Sequence, residues 1–234
     1  LSNDIIFKLT NDTNFDKYKN KIYDYTFLSF MLGNDFMPHF PAINIRTHGI
    51  DILLDIYAKT ITKEENIFDG KTINWKLFRK IVHELSINEL NYIIDDYKER
   101  DSFSRKYLPN NTSEEKERKF LLLPTRMRQD ELYINPLEPY WENRYYKILF
   151  NIEINDEKVK TICKNYLEGL EWNSKYYCSD CPDWRWSYNY NYPPLLIDLI
   201  KCVPYYKTDF VKTIKENPVN PLVQLAYVSP KPLL

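Results

Sequence analysis

At 234 residues with 44% hydrophobic content the chain is long enough to bury a real core, and one domain or a domain plus a fragment is the expectation. Lys and Arg total 32 against 33 Asp and Glu, a net charge of −1, so bulk electrostatics gives no case for nucleic acid, and any such role must come from local residues. There is no signal-like apolar run and no stretch near the length of a membrane span; the chain opens at Leu1 without Met and reads as soluble, intracellular, without a membrane partner and cut from something longer. Only 4 Gly are present against 14 Pro and 20 Tyr, so the turns of a many-stranded sheet are lacking and the expected class is mainly α.

The first element is a helix over Tyr23 to Leu32, with Tyr23, Phe27, Phe30 and Met31 at helical spacing. Gly33 ends it as a left-handed cap, Asn34 bonds local backbone as in an Asx-turn, and Asp35 is left to point its carboxylate into a cleft. Pro38 and Pro41 stiffen the chain beyond this turn and forbid a quick return to helix. Thr47 is placed to cap a second helix with Ile50, Leu53, Leu54, Tyr57 and Ala58 on its apolar face. Asn74 caps a third carrying Leu77, Phe78, Ile81, Val82 and Leu85, and Ser86 with Glu89 makes a capping box for a fourth with Leu90, Ile93, Ile94 and Tyr97.

Asp101 to Arg128 breaks this pattern, and TSEEKERK within it reads as a solvated loop or a short exposed helix. Arg126 and Arg128 are phosphate-contact candidates, with a surface role the simpler reading. Helical period resumes over Tyr140 to Phe150, and again from Asp156, where Val159, Ile162, Cys163, Tyr166, Leu167 and Leu170 form a core stripe. Of the four cysteines, Cys178 and Cys181 form a lone CxxC without a second pair or a nearby His. Four reduced thiols is the preferred reading, and a zinc-stabilised interaction domain is kept as a rival. From Pro182 to Tyr192, Trp184, Trp186, Tyr188, Tyr190 and Tyr192 alternate with polar residues. Such rings either wall a core or, interleaved with Arg185, form a stacking platform for single-stranded bases.

Two long strings carry a resemblance. DYTFLSFMLGNDFMPHFP, from Asp24 to Pro41, is similar to the segment D-F-x-F-L-x-x-x-x-G-N-D-F-L-P-H-x-P of the Xrn/Rat-type 5'-3' exoribonucleases, with Asn34, Asp35 and His39 in register. YLEGLEWNSKYYCSDCPDWRWSYNYNYPPLLIDL resembles the family's second conserved region, with matches at Tyr166, Gly169, Leu170, Trp172, Tyr176, Tyr177, Trp184, Trp186, Tyr188, Tyr190, Tyr192, Pro194 and Asp198. YWENRYYKILF and the C-terminal NPLVQLAYVSPKPLL also resemble family segments, so the likeness runs from about Asp24 to the end. It departs at Glu171, Asp183, Asn189 and Asn191, where the family usually has Gln, Ser, Pro and His.

The resemblance implies residues 1–45 as the C-terminal end of an α/β flap-endonuclease-like nuclease core, mostly missing here, and residues 46–234 as a helical domain packed upon it. It implies a parent that degrades single-stranded 5'-monophosphate RNA processively by two-metal catalysis with Mg2+ or Mn2+. Asp35 would be one metal ligand and catalytic residue, Asn34 and His39 would support it, and Trp184, Trp186, Arg185, Tyr188 and Tyr190 would contact RNA. Without the upstream carboxylates the fragment is expected to be inactive alone. The alternative is a helical RNA- or protein-binding module of the same fold that has lost catalysis.

Overall fold

A computed structural model of the chain describes residues 2–10, 12, 14–214 and 216–229; the end of the NPLVQLAYVSPKPLL stretch, residues 230–234, lies outside them. The described residues are mainly helical, and their only ladder contact is an isolated bridge between Phe68 and Ile73. None of their helices is long and apolar enough to cross a membrane.

Helices α1 (Ser2–Thr10), α2 (Phe15–Tyr18) and α3 (Lys21–Ser29) form the N-terminal part, and α1 packs on α3 and on α4 (Gly49–Thr60). The helix expected over Tyr23 to Leu32 starts two residues earlier and tightens into a 3-10 turn at Phe30–Leu32. Gly33 then takes φ +88° and ψ 150°, positive as expected of a terminating Gly but extended in ψ rather than helical. The cap of α4 is His48, not Thr47; the Thr47 hydroxyl donates to the Asn44 carbonyl at 3.2 Å, and the helix starts at Gly49. A Cβ there would stand 2.6 Å from the Ile43 carbonyl carbon, so the close approach of two backbones sets the boundary.

Asn74 caps α5 as expected, its Oδ1 accepting from the Leu77 N–H at 3.2 Å. The break expected at Ser86 is absent: α5 is one helix of 31 residues, Trp75–Arg105. The Ser86 hydroxyl satisfies itself on the His83 carbonyl at 2.8 Å. Glu89 turns inward and is 3% exposed, accepting from the N–H groups of Leu196 and Ile197 at 2.6 and 2.9 Å. Those two amides open α11 (Leu196–Cys202), so the residue read as a local box member caps a different helix. Arg79, on the same long helix, donates through Nη1 to the Ile200 and Val203 carbonyls at the other end of α11. Side chains of one helix thus cap both ends of α11, and the Arg79 charge at its C-terminus complements the helix dipole.

Beyond α5, the charged segment becomes α6 (Ser113–Leu121), with a capping box between Thr112 and Glu115 and no buried residue. Helices α7 (Leu123–Arg126) and α8 (Gln129–Ile134) come next. Arg128 is held inside by Glu131 at 2.7 Å and Asp101 at 3.1 Å, so its guanidinium is not presented as a free phosphate contact, and Arg126 donates through Nη2 to the Lys106 carbonyl. Helix α9 (Trp141–Phe150), the 23-residue α10 (Asp156–Cys178) and α11 complete the body. Helix α12 (Pro221–Val228) has no buried residue. One core runs from Leu9 to Val203, with Phe27, Met31, Tyr57, Phe78, Tyr146, Tyr166 and Leu199 fully buried. Asp24, which opens the family-like string, is itself interior: it accepts from the Tyr57 hydroxyl and the Phe68 N–H and lies 3.7 Å from the Lys21 ammonium. Its place is a structural ion pair.

Candidate functional site

The site is organised along one face of α10. Residues 40 to 34 run beside this helix from Tyr166 towards Tyr177, in the direction opposite to its own. The Tyr166 hydroxyl donates to the Pro38 carbonyl at 3.0 Å, and its ring lies 4.7 Å from that of Phe40. One turn on, Gly169 leaves room for Met37, whose sulfur would be only 2.3 Å from a Cβ at that position. One turn further, Asn173 accepts from the Asn34 side chain at 2.8 Å. Phe36 meets Trp172 and Tyr176 with ring centroids 5.0 and 5.2 Å apart. Spacings of three and four residues bring all of these onto one helical face.

Asn34 does what the sequence leads one to expect. Its Oδ1 accepts from the N–H groups of Phe36 and Met37, both at 2.9 Å. Asp35, flanked by two anchored neighbours, is exposed. The Tyr177 phenol close by has its pKa raised, first by burial and then by the Asp35 carboxylate. His39 is exposed, with Nδ1 3.1 Å from the Phe40 carbonyl, and its backbone N would sit 3.0 Å from a Cβ at Gly33.

The Pro182 to Tyr192 stretch forms a loop rather than a strand, and its rings divide into two groups. Trp186 stacks on Trp172 at 5.2 Å and 22°, its ring tip over Gly169. Trp172 in turn stacks on Tyr176 at 5.0 Å and 9°, and its Nε1 donates to the Asp183 carbonyl at 2.8 Å, tying the loop to α10. Trp184 stands outside this stack, 46% exposed and touching Tyr176 edge-on at 6.3 Å. Tyr188 and Tyr190 are half-buried: Tyr188 meets Tyr166 at 5.6 Å and donates to the Tyr192 carbonyl, and Tyr190 meets Phe150 at 5.6 Å. Arg185 is exposed and pairs with Glu216. Between the two stretches runs a chain of ring contacts: Phe36, the neighbour of Asp35 in sequence, meets Tyr176, and Tyr176 meets Trp184.

Asn173 is a member of this site that carried no functional signal in the sequence, and Tyr176 was marked there only as a match to the family's second conserved region. The available signal for Asn173 was a polar residue continuing the apolar stripe through Gly169 and Leu170, a position where a side chain must find a partner when buried. Asn173 is fully buried, as is Ser174, whose hydroxyl donates to the Leu170 carbonyl.

A divalent cation held by hard oxygens needs about six ligands. Asp35 is a single exposed carboxylate, and among the described residues no three His, Cys, Asp or Glu side chains converge. The residues present do not by themselves fit such an ion, and Cys178 and Cys181, both free thiols, have no third ligand among the described residues either.

A family profile described as Xrn1 helical domain matches residues 14–132 and 129–232. The chain is similar to a "5'-3' exoribonuclease 2 homolog" of Drosophila melanogaster, 26% identical over 257 residues that cover 91% of this chain and 28% of the relative. A "5'-3' exoribonuclease 2" of Gallus gallus is 25% identical over 282 residues, 91% of this chain and 29% of that protein. A "5'-3' exoribonuclease 1" of Saccharomyces cerevisiae is 34% identical over 93 residues, 39% of this chain and 6% of that protein. The chain thus spans under a third of the length of the first two relatives.

Proposed function

The chain belongs to the Xrn1 helical domain family, and on that footing we propose that it is the helical part of a 5'-3' exoribonuclease that degrades single-stranded RNA bearing a 5'-monophosphate. The observation that carries this reading is the face of α10 on which Tyr176 meets both Phe36, next in sequence to the exposed Asp35, and the exposed indole of Trp184. A carboxylate near a stacking ring is the chemistry that an RNA-end nuclease needs: the ring holds a terminal base, and the carboxylate helps to hold the ion at the scissile phosphate.

In this reading Asp35 gives one ligand to a Mg2+ or Mn2+ site whose other ligands come from a nuclease core outside this chain. Residues 1–45 close that core while sharing the helical body's interior, and hydrolysis is processive. Trp184 is the base-stacking residue, and Trp186 is the support beneath it. Asn34 and His39 shape the loop around Asp35. The chain alone does not turn over RNA.

The test is Asp35→Asn in the full-length protein, assayed on 5'-monophosphorylated single-stranded RNA with Mg2+. Loss of cleavage with RNA binding and melting temperature retained is expected. Cleavage at the wild-type rate would remove Asp35 from the reaction. No cleavage by either protein, with binding intact, would leave a helical RNA-binding module that has lost catalysis.

A further inference from the structure

The Asn34 side chain has two ends with separate tasks. Its oxygen closes the Asx-turn by accepting from the Phe36 and Met37 N–H groups. Its nitrogen reaches out of the loop and donates to the Asn173 oxygen at 2.8 Å, 139 residues away in sequence. Asn173 is fully buried, and its own nitrogen donates to the Gly169 carbonyl at 2.8 Å, one turn back in α10. That second bond fixes the polarity of the amide. Turned over, Asn173 would set its nitrogen against the Asn34 nitrogen and its oxygen against the Gly169 carbonyl.

A buried amide facing a half-buried one among aromatic rings is a poor choice for stability, since apolar groups of the same shape serve as well or better. Such a pair specifies orientation instead. On one side of Asp35 the backbone is held by this pair, and on the other Phe36 is wedged against Trp172 and Tyr176. Asp35 itself is exposed, so its direction is set by these neighbours.

We propose that Asn173 is a positioning residue that aims the Asp35 carboxylate through Asn34, so that α10, the helix bearing the aromatic stack, also sets the geometry of the catalytic loop. The proposal rests on the function given above and concerns the loop's orientation, which is measurable without turnover.

The experiment uses the full-length protein with Asn173→Ala and Asn173→Ser. Hydrogen exchange at the Phe36 and Met37 amides is expected to quicken several-fold in Asn173→Ala, because Asn34 is then free to leave its turn. On 5'-monophosphorylated RNA, kcat falls on the order of 10- to 100-fold while KM holds, as a small misplacement of a reacting group does, a larger loss than the modest fall in melting temperature from deleting a buried amide accounts for. In Asn173→Ser the hydroxyl retains a donor for the Gly169 carbonyl and an acceptor for Asn34, and both readouts recover in part. Wild-type exchange and kcat in Asn173→Ala would overturn the proposal, as would equal losses in both variants that track an equal fall in melting temperature. If the wild-type protein shows no turnover, the assigned function fails separately, and the exchange comparison decides the positioning claim: unchanged protection of Phe36 and Met37 overturns it and faster exchange supports it.

Discussion

Trp184 and Trp186 are two positions apart in one loop and live in opposite surroundings. Trp186 closes over Gly169 and stacks on Trp172, while Trp184 is 46% exposed. Trp186→Ala is therefore expected to cost about 3 kcal/mol of stability, read by urea denaturation. Trp184→Ala should leave the unfolding midpoint nearly unchanged and weaken binding of single-stranded RNA by about 1 to 3 kcal/mol, read by equilibrium titration. A destabilised Trp184→Ala with unchanged affinity would contradict the assignment. Alternation of rings in the sequence was legible, but the division between support and free face was not, because it depends on which ring Trp172 and Gly169 receive. The departures from the family pattern also find local explanations. The Asn189 N–H donates to Asn165 at 3.0 Å, a bond no Pro could make. Glu171 pairs with Lys175 and accepts from the Phe210 N–H, both at 2.6 Å, so its charge is met. Nothing in the structure explains Asn191, which is exposed.

At the scale of elements, α11 is capped at both ends by one long neighbour, Arg79 and Glu89 of α5 serving its C- and N-termini. Burial pushes the Glu89 carboxyl up to about 7 from 4.5, against the two N–H bonds that favour its charge and with Asp198 and Glu142 adding to the rise. The fold therefore favours the neutral form. Its contribution to stability is complete below pH 4.5 and is lost as pH rises through about 7. Unfolding free energy should fall between pH 5 and pH 8 by on the order of 3 kcal/mol more in the wild type than in Glu89→Gln, which has no such ionisation. Equal pH slopes in the two proteins would show that Glu89 does not titrate there. The sequence pattern of Ser86 and Glu89 was misleading for a physical reason: a Ser and a Glu three apart make a box at a helix start, yet they sit equally well inside a helix. What settles the matter is a partner helix 107 residues on, which local reading does not reach. The cap at Asn74 was legible because its partner lies three residues away.

For the whole molecule, the helical class was readable from scarce Gly and from apolar periodicity, and the run of core residues from Leu9 to Val203 shows that the loop with Asp35 is built on the same interior as α10. The placement of Asp35 beyond a helix end was readable from Gly33, Asn34 and the two prolines. Its link to Trp184 was not, since it passes through Phe36 and Tyr176, which meet only in the folded chain. A lone carboxylate also fixes an expectation for the isolated chain: with no converging ligand group among its described residues, it should give no Mg2+-dependent RNA cleavage, and turnover by the purified chain would contradict this account.

The most direct measurement tracks nucleotide release from the 5' end of single-stranded RNA, by the full-length protein and by Asp35→Asn, with Mg2+ present. A 5'-monophosphate substrate should be consumed stepwise by the wild type, a 5'-hydroxyl substrate should be spared, and Asp35→Asn should consume neither while melting as the wild type does. Equal consumption of both ends, or undiminished consumption by Asp35→Asn, would contradict the assignment of this face of α10 to the RNA end.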